Sequence, residues 1–471
     1  MEEMISPRLF TPDYNGRFND ARLERRGSEL ISRLSLHPSS SIRQLAVNAA
    51  QQKSFYRFLE NGKITEDILV EEIASRMSPL AAERHLLCLQ DTCETNLGRH
   101  KGRLKPNTGL GRSDKSDTAH CFKIHPVMVL DAGSLTPLGF SHIKIFHRPG
   151  EMPKGAERKY KKQPIEEKES YKWIEAAQKS REVLRQAATV TFVQDREGDI
   201  YELFAQVADD RHHLLVRSRT TRSLIDGKNL YTEVDAAPVA GTYRIELPTD
   251  NRKNQFKRRA EIELRFATCD IKRPQNLSKS YPESISLSCI SVRETGGGAK
   301  GISWKLLTTH KVENYGDALR VVEWYGARWY IEQLFRLLKK QGFGIEETEL
   351  ESGWAIRKLI LMQMTALLKV LQMNIAYSQP EGEQPIEEVF DAEQVRVLGL
   401  MNVKMQGAST KLKNRHDPKK VKWAAWVIGR MGGWKGYDSQ GPPGVIALKN
   451  GLDRLGYIIE GINLDKDVGT P

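Results

Sequence analysis

Tyr325, Arg328, Glu332, Arg336 and Lys339 recur at helical spacing. At about 100° per residue they fall within about 80° of one another. Ile331, Leu334, Phe335 and Leu338 take a neighbouring arc that can face a core. A carboxylate set among cations and a phenol can touch a metal and a phosphate together. The same stripe can equally be a solvated face, where Arg328–Glu332 and Glu332–Arg336 pairs would each add only about 0.2–0.5 kcal/mol.

Two aspartates bear on that choice. Asp91 follows the short, mostly apolar run His85–Gln90, and Asp195 follows residues 188–194, which are rich in β-branched side chains. Open α/β sheets collect their ligands beyond the C-terminal ends of the strands. A lone aspartate there is most often a turn former. Two of them plus a helical glutamate supply three hard oxygen donors, enough to hold a pair of Mg²⁺ ions. Such a pair, about 3.5–4 Å apart, can activate an attacking hydroxyl and stabilise the leaving oxygen of an in-line phosphodiester displacement. Cations beside Glu332 would then neutralise nearby phosphates.

These residues need elements to position them. The N-terminal part reads as short helices: residues 21–36, 42–50 (after the possible caps Ser39, Ser40 and Ser41) and 55–59, stopped near Gly62. Residues 85–90, 122–130, 138–146 and 188–194 read as strands, with helical stretches at 167–185 and 199–207. Strands alternating with helices indicate an α/β sheet. From 213 to 309 helical signals nearly vanish and the chain reads as a β-rich insertion. Helix returns at 317–341, ending at Gly342, and at 354–376, and the Pro- and Glu-containing stretch 380–385 reads as a linker. Helical segments around 392–401, 421–431 and 444–464 follow.

The chain has 471 residues, with 72 Lys+Arg against 60 Asp+Glu, a net charge of 72 − 60 = +12. That excess suggests a polyanionic partner without naming it. Residues 22–63 hold eight basic side chains against three acidic ones. Further basic clusters lie at 99–115, 154–162, 252–259 and 404–422. Each alone is most simply a solvated face; together they suit an extended phosphate-tracking surface. The longest mostly apolar stretch, residues 359–368, is half of the roughly 20 residues needed to span a bilayer, and no secretory signal is expected after Glu2 and Glu3. Five cysteines without regular spacing suit a reducing cytosol, and Cys88, Cys93, His120 and Cys121 make a poor tetrahedral zinc set. No nucleotide cofactor is expected, because Gly298-Ala299-Lys300-Gly301 lacks the Lys-Ser/Thr ending of a phosphate-binding loop.

Tyr325-x2-Arg328-x3-Glu332-x6-Lys339 resembles the YREK signature of the DDE transposases of bacterial insertion sequences, in the insertion sequence four family. Gln194-Asp195-Arg196-Glu197-Gly198-Asp199 resembles that family's second-aspartate motif, and Leu89-Gln90-Asp91-Thr92 its first. Tyr56-Arg57-Phe58-Leu59, Trp304-Lys305-Leu306-Leu307-Thr308, Ala318-Leu319-Arg320-Val321 and Arg430-Met431-Gly432-Gly433 are similar too, so the resemblance runs from about Ala21 to the C-terminus. It is nearest to the transposon five branch of the family. Separations of 195 − 91 = 104 and 332 − 195 = 137 residues are long, and the β-rich insertion accounts for the second.

The resemblance implies an α/β fold: an RNase H-like catalytic core with a β-rich insertion, flanked by helical N-terminal and C-terminal domains. The expected division is 1–75 for recognition of terminal inverted repeats, 76–378 for catalysis and 379–471 for dimerisation. It implies that Asp91, Asp195 and Glu332 are catalytic and hold two Mg²⁺ ions, with Mn²⁺ able to substitute. Tyr325, Arg328, Lys339 and, less closely matched, Arg336 would contact transposon-end DNA. Trp304 would stack on a flipped base, or else pack in a strand core. The implied partners are double-stranded DNA at the inverted repeats and the target, and a second copy in a synaptic homodimer. No membrane partner is expected, and the place of action is the bacterial cytoplasm, at the nucleoid. The implied activity is cut-and-paste transposition through nicking, hairpin formation, hairpin opening and strand transfer. Two other readings stay open: a catalytically silent end-binding regulator, and a general RNase H-like nuclease.

Overall fold

The computed structural model describes residues 10, 12–113, 120–148, 163–247, 257–298, 301–379 and 384–468. Side chains at 340, 341, 438 and 464–468 are outside that description, as are the basic cluster 154–162, Lys115, Arg252, Lys253, part of the turn 298–301 and most of the linker stretch.

The N-terminal helices are α1 (Ala21–Leu36), α2 (Ile42–Leu45), α3 (Ala49–Glu60) and α4 (Glu66–Met77). Asp20 starts α1 by accepting from the Arg22 N–H, and Leu23, Leu30, Ile31 and Leu34 form its buried stripe. The expected helix over 42–50 is instead two pieces. The chain leaves the helix at Ala46, and the Asn48 side chain accepts from the Gln51 N–H to begin α3. A side chain that can bond its own downstream backbone competes with helix continuation.

The sheet is built from β1 (His85–Gln90), β2 (Cys93–Asn96), β3 (Cys121–Asp131), β4 (Pro137–Phe146), β5 (Thr189–Gln194), β6 (His212–Arg217), β7 (Gly241–Leu247), β8 (Arg258–Lys272), β9 (Ser284–Glu294) and β10 (Ser303–Thr308). Strands β1, β5 and β6 are parallel; β3 is antiparallel to β1, and β4 to β3. The core order β4-β3-β1-β5-β6 fits the RNase H-like core that the resemblance implies. Helices α5 (Tyr171–Val183) and α6 (Tyr201–Val207) accompany β5. Beyond β6 the sheet continues antiparallel through β10, β9, β8 and β7.

Within that extension a short helix, α7 (Leu230–Ala236), was not expected. Asn229 caps it by accepting from the Tyr231 and Thr232 N–H groups, and it buries Leu230 and Val234. Seven residues are too few to show a helical period in the sequence.

The expected helix 317–341 is the largest departure. It is divided into α8 (Tyr315–Gly326) and α9 (Trp329–Arg336), followed by a wide turn, Leu337–Gln341, in which Lys339 has a non-helical ψ of −119°. Between α8 and α9 the bonds tighten: Arg328 N–H donates to the Tyr325 carbonyl and Ile331 N–H to Arg328. This i to i−3 pattern winds the chain more tightly, so the five site residues do not share one straight helical face.

Helix α10 (Gly353–Ser378) is the spine, packed by α1, α3 and α4 on one side and β4 on another. It is long and apolar enough to cross a membrane, but 94% of its most apolar window is buried inside the protein. Buried polar ends tie it down: Arg357 donates to Glu66 and the Ile145 and Gly109 carbonyls, and Lys358 to the Asn61 carbonyl. The C-terminal helices α11 (Ala392–Met405), α12 (Val421–Met431) and α13 (Val445–Val468) pack on one another and on α10. His37 in turn joins the end of α1 to α13, with Asp453 and Glu460 each 2.9 Å from a ring nitrogen.

Candidate active site

Asp91 owes its position to a gap in a strand. β1 and β2 lie along β3 in a single register, from Leu86 opposite Asp131 to Asn96 opposite Cys121. Between the last β1 pair, Gln90 with Val127, and the first β2 pair, Cys93 with Ile124, Asp91 and Thr92 face Pro126 and His125. Proline has no N–H to give, so the ladder lapses there. The Asp91 carboxylate instead accepts from the Thr92 N–H at 2.7 Å, while the Thr92 hydroxyl meets His125 Nδ1 at 2.9 Å.

Asp195 stands directly after β5, in extended conformation, and the chain then tightens into a turn in which Gly198 N–H donates to the Asp195 carbonyl. Asp199 does not join the site. Its buried carboxylate accepts from the Arg219 N–H and pairs with Arg222, anchoring the loop after β6. Along β1 and β5 alternate side chains take opposite faces. Leu87, Leu89 and Val193 share a core with Ile331 and Leu334, so Asp91 and Asp195 emerge on the face that α9 covers.

Arg328, the residue leading into α9, holds the carboxylates together. One guanidinium nitrogen lies 2.8 Å from Asp91 and another 2.5 Å from Glu332. Burial pushes the Asp91 carboxyl up to about 6, with Asp195 and Glu332 adding repulsion and Arg328 and the Thr92 N–H opposing it. Burial works against the charge of Arg328, but Tyr325, Asp91, Glu332 and Asp195 outweigh it and hold the guanidinium above its ordinary range. Asp91 thus feels two other carboxylates across a partly buried site, and among the described residues Arg328 is the cation bonded within it.

On the β10 side the site is walled by aromatic rings and cations. Trp304 meets Tyr325 edge-on at 5.4 Å; Arg217 lies over Trp304 and Arg328 over Tyr325, each 5.9 Å from the ring centre. Trp304 is half-buried rather than sealed in the core, so its face is not consumed by packing. Burial raises the Tyr325 phenol, against the pull of Arg328. Lys339 sits farther along, 4.0 Å from Glu346, and the buried Cys93 thiol feels both Lys339 and Asp91. Arg336 is exposed and bonds to Gln333, away from the carboxylates.

Two further side chains belong here that the sequence reading passed over. Arg217 ends β6, the third parallel strand, and the same strand-end rule that singled out Asp91 and Asp195 could have flagged it. Trp329 follows Arg328 and is 49% exposed, an unusual setting for so large an apolar ring.

The donor set is all oxygen and strongly acidic, which suits a hard divalent cation. The mutual repulsion at Asp91 is the physical mark of a site that gains from added positive charge. Among the described residues, no three acidic, histidine or cysteine side chains stand close enough to share an ion as they are placed. Arg328 occupies the space between Asp91 and Glu332 and must yield for a cation to enter. By donor chemistry the three carboxylates suit such an ion, though as placed they do not surround one.

Other basic stretches are partly neutralised by the chain itself. In the insertion, Glu246 lies 3.0 Å from Lys257 and 3.4 Å from Arg259, and Arg258 pairs with Glu294. In the loop after β2, Arg103 donates to the Thr348 carbonyl and Lys105 meets Glu60 at 3.2 Å. All five cysteines are buried and free, and among the described residues none belongs to a group placed to hold a metal ion.

Residues 15–64 match a family model described as transposase DNA-binding, and residues 184–369 one described as transposase DDE domain. The second match contains Asp195, Trp304, Tyr325, Arg328, Glu332 and Lys339; Asp91 precedes it. Among solved structures the chain is similar to the piggyBac transposase in a cryo-EM synaptic complex with hairpin DNA, at 9% identity and a TM-score of 0.37, over 96% of this chain and 73% of that one. That likeness is too slight to bear on fold or chemistry.

Proposed function

We propose that this chain, with its transposase DNA-binding region and transposase DDE domain, is a cut-and-paste DNA transposase. We place it in the insertion sequence four family, nearest to the transposon five transposase. The observation that carries the reading is the joining of Asp91 and Glu332 through Arg328, with Asp195 near enough to repel Asp91. Asp91, Asp195 and Glu332 would hold two Mg²⁺ ions, or Mn²⁺ in their place, which supply an activated oxygen nucleophile and a stabilised leaving oxygen.

The reaction is a series of in-line displacements at phosphorus. Water cuts one strand at the element's end and frees a 3′-OH; that hydroxyl attacks the opposite strand and closes a hairpin. A second water opens the hairpin, and the same 3′-OH then joins target DNA. Each step exchanges one P–O bond for another, so neither ATP nor a protein–DNA covalent link is required. Arg328 and Lys339 hold the phosphates on either side of the reacting one, and Arg336 guides the duplex farther out. Tyr325 and Trp304 present ring faces and edges beside the carboxylates, and exposed Trp329 adds another surface on which an unpaired base can stack.

Residues 1–75 recognise terminal inverted repeats, 76–378 carry catalysis with the insertion at about 213–309, and 379–471 dimerise. The working unit is a synaptic homodimer on two ends, acting in trans, in the bacterial cytoplasm at the nucleoid. The purified protein is expected to convert a DNA end to hairpins in Mg²⁺, and Asp195→Ala or Glu332→Ala to abolish them. Full activity in either variant would sink the assignment. A second reading, a catalytically silent end-binding regulator, draws on Arg328 standing between the carboxylates; binding of ends without cleavage in Mg²⁺ or Mn²⁺ would favour it.

A further inference from the structure

Behind the two aspartates, on the opposite face of the sheet, lies a side-chain bond with no evident reason to be there. Gln90 and Gln194 immediately precede Asp91 and Asp195 on neighbouring parallel strands and are both fully buried. The Gln194 amide donates to Gln90 Oε1 at 2.9 Å. Their remaining polar atoms, Gln90 Nε2 and Gln194 Oε1, find no partner among the described residues. On one side that face is apolar, with Cys88, Val127, Val190 and Phe192 in one core, and beyond the glutamines it carries the Thr92–His125 pair.

A buried amide pair satisfied only once costs stability relative to two well-packed aliphatic side chains. The location of this pair offers a compensating role. The β1–β5 pairing runs from His85 with Thr189 to Leu89 with Val193, one step short of the glutamines. The amide bond therefore carries the pairing of the strands one residue farther, to the step just before each aspartate. Each strand end is also held on its other side, Gln90 opposite Val127 and Gln194 opposite Val216, so the bridge is left to fix the spacing between the two ends that carry mutually repelling carboxylates. Gly198 marks how closely the bridge is fitted: a Cβ there would lie 2.2 Å from Gln194 Oε1 and 2.9 Å from the Gln194 Cβ.

We infer that the Gln90–Gln194 bridge is a positioning device: it sets the separation of the strand ends, and so of Asp91 and Asp195, for divalent-cation binding. This rests on the proposed role of the carboxylates. Gln90 and Gln194 act only through the aspartates they precede. Residues that orient metal ligands typically change metal affinity by about 10- to 100-fold when removed.

The test uses the full chain without DNA, with Mn²⁺ as the probe, its free aquo ion followed by electron paramagnetic resonance, and melting followed by calorimetry. Gln194→Leu alone strands the Gln90 amide and should lower the Tm. Gln90→Leu with Gln194→Leu removes every unsatisfied atom and should restore the Tm to near wild type, yet bind Mn²⁺ about tenfold more weakly. That separation of stability from metal affinity is what a merely structural pair would not produce. A folded double variant with wild-type Mn²⁺ affinity overturns the inference. Gly198→Ala, which pushes the bridge aside without deleting it, should weaken Mn²⁺ in the same direction, and unchanged affinity there counts equally against it. Asp195→Ala is the control: if it binds Mn²⁺ as wild type does, the carboxylate reading fails rather than the bridge.

Discussion

The parallel strands β1, β5 and β6 end in two different kinds of chemistry. At their C-terminal ends, Asp91, Asp195 and Arg217 join Arg328 and Glu332 in a site dense with charge. At the opposite ends, His85 and His310, just past β10, share one threonine, and His213 beside them meets another, Thr309. Thr191 Oγ1 lies 2.8 Å from both His85 Nε2 and His310 Nε2, and the His213 and His310 rings stack at 3.9 Å. Adjacent residues of α8 serve both: Trp324 packs on His85 and His310, and Tyr325 on Trp304. Burial lowers His85 to about 4 and His310 to about 3, with neighbouring histidines adding to it, so these rings are held neutral. One end gathers carboxylates that repel one another around a bridging arginine; the other suppresses charge. Stability and function are thereby assigned to opposite ends of the same strands.

That contrast is most exposed at Arg328. Arg328→Ala is expected to reduce cleavage of a DNA end by about 100-fold or more, the usual scale for losing one group that stabilises developing charge. Its Tm should fall as well at neutral pH, because the partly buried carboxylates lose the charge between them. Thr191→Val at the other end should lower Tm too, but leave cleavage per folded molecule unchanged. Equal effects of both variants on both measurements would break the division.

Trp304→Ala comes next. If its ring carries a base, the loss is about 1–3 kcal/mol of stacking, roughly a 5- to 150-fold drop in hairpin yield. Nicking, which needs no unpaired base, should change much less, and gel analysis of the two products separates them. Lys339→Ala should cost less again: binding of DNA ends falls a few-fold, and the slope of log affinity against log salt drops by about 1, as for one lost phosphate contact. An unchanged slope would place Lys339 off the DNA path.

How far these features were legible beforehand depended on whether local chemistry or tertiary contact decided them. β1 and α12 appear at the bounds their patterns indicate, because an apolar run ending at Asp91 and a helical stretch ending at Gly432-Gly433 are locally determined. Apart from Gly326, which a helix also tolerates, the break after Tyr325 carries no residue-type signal. Ala327 and Arg328 keep right-handed φ and ψ, and only tightened hydrogen bonding reveals it. The wide turn at Lys339 is likewise unmarked by residue type. Pro126 was visible in the middle of an expected strand, yet its meaning, a lapse that frees Asp91, needed the β1–β3 register. Pairing at a distance also decided Arg217 and the partly neutralised basic runs, since nothing near Arg259 or Lys257 in sequence announces Glu246.

The smallest expected effect lies at the histidine end and tests the other half of the contrast. A histidine in the unfolded chain titrates near 6.5, whereas His85 and His310 in the folded protein resist protonation until about 4 and about 3. Between those values the unfolded state binds protons that the folded state excludes, so stability is full above about 6.5 and declines as pH falls toward 4. Both rings are partly exposed, so water softens the penalty and the change should read as a few degrees of Tm. His310→Gln can keep a bond to Thr191 while removing one titrating ring. It should therefore melt slightly lower than wild type at pH 7 but show a shallower decline on acidification. A variant whose Tm falls as steeply with pH as wild type would mean that His310 is not among the groups excluding protons, and that the two strand ends differ less in charge than their geometry indicates.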